Sequence, residues 1–344
     1  MDPVRLDDLK YIIDRIPYEM CEGKVFLIAG ANGFLASYMV DTLMYLDKNV
    51  LQKGCRVIAL CRNRIKAEKR FAKWLQERNF ILHIQSVEEK VPDFLEADYI
   101  VHAASSSATR MFQKIPADIL KANILGAYHL LEFAKMKKAT GFLFFSSGAV
   151  YGNAEQKCTS IKEEDAFALH FNLTKNCYAE GKRAAEALCR SYFKQYGVPV
   201  KIVRIGHTYG PGIDLQDGHI YSDLTAQIIQ KKALTILNGG AVRSFCYVAD
   251  AVIAFFLILI KGICGESYNM TNVKETLSMQ ELALKLAHEA FPDRKLAVVC
   301  KNESSMVPKI GLNITKLSEL GWKPEIDVVK GFRRTVQSFE AEKG

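Results

Sequence analysis

The stretch Lys24–Ser37, KVFLIAGANGFLAS, decides the fold that this sequence predicts. The apolar run 25–29 predicts a buried strand that ends at Gly30, and Gly33 precedes the apolar residues that open a helix. A strand, a glycine turn and a helix N-terminus form the arrangement that holds a pyrophosphate on backbone N–H groups. Gly30 lets the turn close, Gly33 lets a phosphate approach the backbone, and Ala36 is small enough for helix-on-strand packing. A G-x-x-G-x-x-A turn alone is a weak signal, so the rest of the chain has to agree with it.

The composition is that of a globular protein with a large core. The 344 residues are 49% hydrophobic and 24% charged, which predicts one large domain with a smaller lobe. The net charge of +8 suits an anionic substrate. Because the densest basic cluster, 62–70, is interrupted by an acidic residue, we expect no nucleic-acid binding. The longest apolar run, 251–260, is too short to span a bilayer and predicts a buried helix, so no membrane association is expected.

The cysteines predict neither a metal site nor disulfides. Nine are scattered along the chain without a C-x-x-C pair or a Cys/His ligand spacing, so we expect no metal. Their odd number and the absence of a signal-peptide pattern predict a reducing, cytoplasmic location.

Strand-like and helix-like segments alternate up to residue 205. The predicted strands are 25–29, 56–61, 80–84, 97–103, 141–146 and 199–205, and the predicted helices are 35–46, 66–77, 117–137 and 174–196. Strands that are apolar throughout are typical of a parallel sheet covered by helices on both faces. The fold class is therefore α/β, a Rossmann-type doubly wound parallel sheet.

The rhythm changes after Gly210. Helices are predicted at 221–232, 248–261 and 278–291 among short strands, which indicates a smaller C-terminal α/β substrate-binding lobe. An amphipathic pattern at the start of the chain predicts a short helix ending near Pro17. The predicted organisation is a helical extension 1–23, a dinucleotide-binding domain 24–210 to which later segments return, and a mainly substrate-binding lobe 211–344.

The residues at the end of the second predicted strand bear on whether the cofactor is NAD or NADP. An NAD site usually presents Asp or Glu there to bind the ribose 2′-hydroxyl, but this chain has Cys61, Arg62, Asn63 and Arg64. The two guanidinium groups can pair with a 2′-phosphate, which favours NADP over NAD. The alternative is that Arg62 stacks on the adenine and Arg64 is a solvated residue at a helix start.

A tyrosine and a lysine provide the candidate catalytic pair. Tyr178 and Lys182 lie four residues apart in a predicted helix, so their side chains share one face. The ammonium and the positive ring of a nicotinamide would lower the pKa of the tyrosine and make it a usable general base. The spacing alone means little, because Tyr11 and Arg15 share it. Its weight comes from Ser147, which ends the strand before this helix and so faces the ligand crevice of a parallel sheet.

With these features in place, the chain resembles the nucleotide-sugar epimerase/dehydratase branch of the extended short-chain dehydrogenase/reductase family over nearly its whole length. The resemblance implies NAD or NADP as cofactor, a nucleotide-sugar substrate bound by the C-terminal lobe, and a homodimer. It is carried by GANGFLAS (30–37), HAAS (102–105), Asn123 in KANILGAYHLL, VRIGHTYGPG (203–212), RSFCYVADAV (243–252), SYNMTN (267–272) and LGWKPEIDVVKGFRRTV.

The residues and the resemblance together assign the candidate site. Catalysis falls to Ser147, Tyr178 and Lys182. Cofactor binding is expected from Gly30, Ala31, Asn32, Gly33, Phe34, Leu35, Arg62, Asn63, Ser86, Val87, Ala103, Ala104, Ser105, Asn123, Tyr178 and Lys182. Substrate binding is expected from Ser106, Ser147, Gly148, Ala149, His207 and Arg243, with Arg243 as the phosphate ligand and His207 where the family usually has asparagine.

The resemblance implies oxidation of the sugar at C4, after which the reaction can branch. Dehydratases and decarboxylases of this branch usually carry an acid after the active serine or threonine, where this chain has Gly148 and Ala149. The missing acid favours a 4-epimerase. The alternatives are a UDP-glucuronate decarboxylase or 4,6-dehydratase-like enzyme in which Ala149 replaces a native acid, a 4-keto-sugar reductase, and a cofactor-binding scaffold without catalysis. The complete set Ser147, Tyr178 and Lys182 argues against the scaffold.

Overall fold

The computed structural model describes residues 2–152, 160–170, 172–302 and 311–341. The strands within these ranges are β1 (Val25–Ala29), β2 (Arg56–Cys61), β3 (Phe80–Ile84), β4 (Tyr99–His102), β5 (Gly141–Ser147), β6 (Ser160–Ile161), β7 (Val200–Ile205), β8 (His207–Tyr209), β9 (Leu234–Ile236), β10 (Val242–Tyr247), β11 (Ser267–Met270), β12 (Thr276–Ser278), β13 (Val298–Cys300) and β14 (Gly311–Leu312). The helices are α1 (Pro3–Ile13), α2 (Phe34–Asn49), α3 (Arg64–Phe71), α4 (Met111–Lys114), α5 (Pro116–Met136), α6 (Cys177–Tyr196), α7 (Ile220–Ile229), α8 (Val248–Lys261), α9 (Met279–Lys285), α10 (Thr315–Ser318) and α11 (Val328–Ala341).

A parallel sheet of seven strands forms the centre of the molecule, in the order β11-β7-β5-β4-β1-β2-β3. The strand β1 is buried over four of its five residues. Its neighbours in the sheet are β2 and β4, so Phe26 pairs with both Val57 and Tyr99. The predicted α/β class with a Rossmann-type parallel sheet is confirmed.

Helices cover both faces of this sheet because its strands present apolar side chains on both sides. Phe26 and Ile28 belong to one buried cluster, which also contains residues of α1, α2 and α8. Leu27 and Ala29 point the other way and join a second cluster with residues of α5 and α6. This alternation follows from the two-residue period of a strand.

The C-terminal part of the chain contributes a second, smaller sheet and one strand of the large sheet. The strand β10 lies between β8, to which it is parallel, and β12, to which it is antiparallel. The strand β11 returns to the large sheet and pairs with β7. The boundaries at residues 23 and 210 stay predictions.

Two predicted helices end six residues earlier than the sequence pattern indicates. The helix predicted over 66–77 ends at Phe71, and the chain then turns so that the Trp74 indole donates to buried Asp41. The helix predicted over 278–291 begins on a capping box at Ser278 but changes after Lys285 into the π-helical turn Leu286–Ala290. The first of these two helices therefore ends early because of a tertiary contact, and the second because its hydrogen-bond spacing changes.

The first helix is joined to the rest of the molecule by buried charges. Arg5 of α1 donates to Asp41 of α2 over 2.6 Å. Asp8 is fully buried and accepts hydrogen bonds from Tyr38, Tyr247 and Arg334. Because a buried carboxylate is costly unless it is paired, these contacts fix α1 against α2, β10 and α11.

Candidate functional site

The glycine turn after β1 has the geometry that a pyrophosphate site requires. Gly30 has a φ of +74°, and a Cβ there would lie 2.6 Å from the Cα of Ala104, so only glycine fits. Its N–H donates to the Leu60 carbonyl, and Gly33 caps the N-terminus of α2. The turn therefore presents the free N–H groups of α2 to the carboxyl edge of the sheet, where an anion is favoured.

Beside this turn lies a cavity of about 230 Å³, which we call the nucleotide cavity. It is bounded by the ends of β1, β2 and β4 and by the N-terminal half of α5. The predicted cofactor residues that line it are Gly30, Asn32, Gly33, Arg62, Ser86, Val87, Ala103, Ala104 and Ser105. Ser106, predicted as a substrate residue, also lines this cavity.

Three predicted cofactor residues lie near the nucleotide cavity without lining it. Ala31 is buried, and Asn63 uses its side-chain oxygen to accept from the Lys66 N–H at the start of α3. Asn123 is fully buried and donates to the Ser105 hydroxyl over 3.0 Å, while its own side-chain oxygen has no hydrogen-bond partner among the residues that the structure describes. Asn123 therefore supports a cavity residue from behind.

A larger cavity of about 810 Å³ opens on the other side of Gly33, and we call it the catalytic cavity. It brings together Ser147 at the end of β5 with Tyr178 and Lys182 on α6. The other predicted residues that line it are Gly33, Phe34, Leu35, Ala103, Ser105, Gly148, Ala149, His207 and Arg243. The three candidate catalytic residues and the cofactor turn thus share one space.

The electrostatics of Tyr178 differ from the sequence-based expectation. In the chain alone, burial raises the pKa of the Tyr178 phenol, and a hydrogen bond with the Ser147 hydroxyl opposes this shift. The expected lowering depended on the Lys182 ammonium and on the positive ring of a bound cofactor. For the loaded protein that expectation stays a prediction.

Lys182 is placed as a buried amine rather than a solvated ammonium. It is 3% exposed, and its Nζ donates to the Phe145 carbonyl over 2.6 Å. Burial lowers the pKa of Lys182 to about 7, although the charge of Glu186 one turn further along α6 opposes that shift. Glu186 is itself held by Ser146 and Arg204. Lys182 can therefore gain or lose a proton near neutral pH.

The catalytic cavity also carries a guanidinium and imidazole groups suited to binding an anion. Arg243 and His207 both line it, and His219 and Tyr221 at the start of α7 face them. Burial, the Arg243 charge and His219 lower the pKa of His207 to about 3, so it is neutral in the chain alone. A neutral imidazole can still donate one hydrogen bond to a phosphate oxygen.

Sequence reasoning missed several residues that line these cavities. Phe112, His219 and Tyr221 lie in the catalytic cavity, and Glu88 and Asp118 lie in the nucleotide cavity. Of the missed set, His219 and Tyr221 follow closely on the predicted VRIGHTYGPG segment, which was the available signal. Phe112 lies on the short helix α4, which the sequence pattern did not predict.

The sequence of the chain is similar to those of known proteins of one family. The model of the NAD dependent epimerase/dehydratase family matches residues 26–271. UDP-glucuronic acid decarboxylase 6 of Arabidopsis thaliana is 31% identical over 92% of this chain and 89% of its own length. This chain belongs to the NAD dependent epimerase/dehydratase family. The family resemblance predicted from the sequence is thereby confirmed, as is an NAD(P)-dependent enzyme of this type.

Solved structures of the epimerase/dehydratase family share the fold. UDP-glucose 4-epimerase of Thermotoga maritima with UDP-glucose has a TM-score of 0.78 at 23% identity and covers 93% of this chain and 100% of its own. RMD of Pseudomonas aeruginosa complexed with NADPH has a TM-score of 0.72 at 22% identity and covers 93% and 99%. At these identities the likeness shows the fold alone.

Two kinds of feature are absent from the part of the chain that the structure describes. None of the helices in the described ranges combines the length and the hydropathy needed to cross a bilayer. The same ranges contain no group of three or more His, Cys, Asp or Glu side chains arranged to hold a metal ion.

Proposed function

We propose that this enzyme is a nucleotide-sugar 4-epimerase. The observation that carries the proposal is that Ser147, Tyr178 and Lys182 meet in one cavity beside the glycine turn, while Gly148 and Ala149 follow Ser147 where an eliminating enzyme carries an acid. Oxidation and reduction at C4 need a proton acceptor and a hydride carrier, and neither step needs an acid beside C5.

The chain's own residues account for the proton chemistry. Tyr178 accepts the proton of the sugar 4-hydroxyl, and Ser147 holds the same oxygen through a hydrogen bond. Lys182, with a pKa of about 7, adjusts its charge as the phenol changes its own. When bound, the nicotinamide supplies reversible hydride acceptance at C4. After the 4-keto sugar has turned over, C4 would take the hydride back on its other face while Tyr178 returns the proton to the oxygen, which gives the C4 epimer.

The substrate is held at its diphosphate by Arg243 and His207, which both line the catalytic cavity. Arg243 is the proposed phosphate ligand, with His207 as a hydrogen-bond donor beside it. A guanidinium can bind a phosphate through two parallel hydrogen bonds, which fixes the orientation of the sugar relative to Tyr178.

A UDP-glucuronate decarboxylase is the second candidate, because the chain is 31% identical to a decarboxylase over 92% of its length. In that case the 4-keto acid loses carbon dioxide without help from Ala149. A 4,6-dehydratase and a 4-keto-sugar reductase are the remaining enzymatic alternatives, and a catalytically inert cofactor-binding scaffold is the non-enzymatic one.

Product masses separate these functions. The protein is incubated with UDP-, GDP-, CDP- and dTDP-sugars and either NAD or NADP, and the products are analysed by mass spectrometry. An isomer of unchanged mass supports the epimerase. Loss of carbon dioxide identifies a decarboxylase, loss of water a dehydratase, and gain of two hydrogens a reductase. No product with any sugar, despite cofactor binding, favours the scaffold.

Two variants test the residues behind the proposal. Tyr178→Phe is expected to abolish turnover and to leave cofactor affinity nearly unchanged, because only the phenol oxygen is removed. Ala149→Glu is expected to produce no elimination or decarboxylation product. New loss of water or carbon dioxide in that variant would instead mean that Ala149 occupies the place of a functional acid.

We also propose that the enzyme prefers NADP. The strand β2 ends at Cys61 without a carboxylate, and Arg62 lines the nucleotide cavity. Arg64 lies one turn from Glu68 and pairs with it over 3.2 Å, so it is less available. Arg62→Ala should weaken NADP binding about tenfold and leave NAD binding unchanged, since a charged hydrogen bond is lost. Arg64→Ala is the matched control, and equal or tighter binding of NAD by the unaltered protein would contradict the preference.

A homodimer and a cytoplasmic location complete the proposal. The eight cysteines in the described ranges are all free thiols, which suits a reducing compartment. The outer surfaces of α5 and α6 expose apolar side chains that a second copy could cover.

A further inference from the structure

The ring of Phe112 lies flat against the ring of Tyr178. The two ring centroids are 5.1 Å apart and the planes are inclined by 10°. Both residues are half-buried and both line the catalytic cavity. At this separation the rings are in offset parallel contact, so Phe112 covers part of one face of the phenol ring.

The backbone around Phe112 holds its ring in this place. The Phe112 N–H donates to the Thr109 carbonyl, and the Phe112 carbonyl accepts from the thiol of Cys177, the residue before Tyr178. Arg110 pairs with Asp214 over 3.5 Å, which ties the same segment to the loop before α7. The segment that carries the ring is thus in contact with α6 and with the loop before α7.

The polar groups around Tyr178 act on it differently. Ser147 at the end of β5 shares a hydrogen bond with the phenol, and the Lys182 Nζ on α6 lies 5.6 Å from the ring centroid. Tyr221 on α7 interacts electrostatically with Tyr178. These groups tune the charge of the phenol, whereas Phe112 is an apolar neighbour that removes water from it.

We propose that Phe112 is a positioning residue for Tyr178, holding the phenol ring in its place in the cavity and excluding water from one of its faces. The inference rests on the proposed function, in which Tyr178 accepts the proton of a sugar hydroxyl. A general base works only when its oxygen lies within hydrogen-bond distance of that proton. If the Tyr178 ring is free to tilt, the enzyme should therefore turn over more slowly while its affinity for the ligand stays the same.

The test follows the titration of Tyr178 directly. Protein labelled with ¹³C at the tyrosine Cζ is saturated with oxidised NADP, the proposed cofactor, and the Tyr178 signal is assigned by its loss in Tyr178→Phe. Phe112→Ala should lower the pKa of Tyr178 by about one unit, because water returns to the ring. Phe112→Tyr keeps a flat ring and should leave the titration unchanged, and Phe112→Leu, which keeps an apolar cover, should give a smaller shift. Phe94→Ala, at an exposed phenylalanine that does not line the cavity, is the matched control.

Kinetics with the sugar that is turned over supply the second readout. In Phe112→Ala, kcat should fall about tenfold to a hundredfold with KM nearly unchanged, because orientation is lost and binding is not. The acidic limb of the pH profile should move to lower pH, and Phe112→Tyr should restore both values. An unmoved titration with full activity in Phe112→Ala would overturn the inference, as would equal changes in Phe94→Ala.

The two proposals fail in different ways. The titration needs no substrate, so a shifted Tyr178 signal in a protein that makes no epimer supports the role of Phe112 and overturns the epimerase. Normal epimerisation with an unmoved Tyr178 signal in Phe112→Ala supports the epimerase and overturns the role of Phe112. Should Phe112→Ala not fold, Phe112→Leu carries the same comparison.

Discussion

At the scale of single residues, the candidate site depends on burial more than on the spacing that made it recognisable. Tyr178 and Lys182 share one face of α6, but burial raises the pKa of the phenol and lowers that of the amine. Both shifts favour the neutral forms. In the chain alone the phenol is therefore neutral and Lys182 is only partly protonated near neutral pH, and the positive ring of a bound nicotinamide would favour loss of a proton from both groups.

Burial of Lys182 predicts a cost in stability. The folded pKa of about 7 lies below the value of 10.5 for an unperturbed lysine. Between these values the unfolded chain binds more protons, so stability rises with pH across that window. Lys182→Met, which keeps the length of the side chain without the amine, should be more stable than the unaltered protein by about 5 kcal/mol below pH 7, because each unit of pKa difference corresponds to about 1.4 kcal/mol. The difference should vanish as the pH approaches 10.5.

Urea unfolding at several pH values measures this difference, and activity is lost in parallel because the amine is gone. Lys261→Met, at the exposed end of α8, is a suitable control and should show no pH-dependent gain. A Lys182→Met variant that is less stable by the same amount at pH 6 and pH 10 would mean that the amine is not strained by burial.

Much of the candidate site could be predicted because it lies at the carboxyl ends of parallel strands. Ser147 ends β5, and the glycine turn ends β1, so topology alone brings them together. Phe112 could not be found this way. It lies on a four-residue helix whose position depends on contacts with Cys177 and Asp214, which are distant in sequence.

At the scale of secondary structure, one carboxylate joins three helical segments. Asp41 of α2 is fully buried and accepts from Arg5 of α1, from Arg70 of α3, and from Lys73 and Trp74 just beyond it. These cations lower the pKa of Asp41 although burial opposes them. A buried carboxylate with this many donors is stabilising only as a complete set.

Asp41→Asn should therefore destabilise the protein by about 3 to 5 kcal/mol at neutral pH, because Arg5 is left as a buried cation without its partner. The contribution of Asp41 is complete above its unfolded pKa near 3.8 and is lost as the pH falls toward the lower folded value. The difference in free energy of unfolding between Asp41→Asn and the unaltered protein should become smaller below pH 4. Chemical denaturation at pH 7 and at a pH well below 4 measures both the loss of stability and its decrease in acid.

Asp93→Asn supplies the comparison for Asp41→Asn. Asp93 also pairs with a lysine, Lys90, over 3.0 Å, but both side chains are exposed. Exposed pairs contribute about 0.2 to 1 kcal/mol, so little change is expected. Equal losses of stability in Asp93→Asn and Asp41→Asn would show that burial does not strengthen the contribution of the Asp41 ion pairs to stability.

The same network explains where the prediction of helices was wrong. The periodic pattern over 66–77 is compatible with a helix, and local propensity cannot register that Trp74 has a buried acceptor on α2. Strands were predicted more closely than helix ends: β1, β2 and β3 have the predicted bounds. A buried parallel strand is set by its own apolar run, whereas a helix end depends on what its last side chains reach.

At the scale of the whole molecule, the surface of α5 and α6 is the place where a second copy is expected. The two helices pack against each other on one face of the large sheet. Their outer surface exposes Leu125, Tyr128, Phe193 and Tyr196, each at least 36% accessible. Two such pairs of helices packed together would bury these side chains, and a stable dimer of this kind needs about 1,200 to 2,000 Å² of buried surface.

Tyr128 and Tyr196 allow this dimer to be tested. The Lys135 Nζ lies 4.5 Å from the Tyr196 ring centroid, which places the end of α6 beside α5. A carboxylate introduced into the middle of an apolar interface would have to lose its water when the dimer forms, which opposes association. In a symmetric dimer both copies carry the substitution, so this cost is incurred twice. Tyr128→Asp and Tyr196→Asp should therefore each convert the protein from twice the mass of one chain to the mass of one chain in light scattering.

Neither substitution touches the cavities, so cofactor affinity should stay unchanged while the mass halves. Ile65→Asp on α3 provides the control, because Ile65 is 80% exposed and lies outside the α5 and α6 surface. A protein that is already monomeric, or a dimer that persists in both tyrosine variants, would exclude this interface. Since α6 also carries Tyr178 and Lys182, a dimer built on these helices would hold the catalytic helix against its copy, and dissociation would be expected to lower kcat before it lowers cofactor binding.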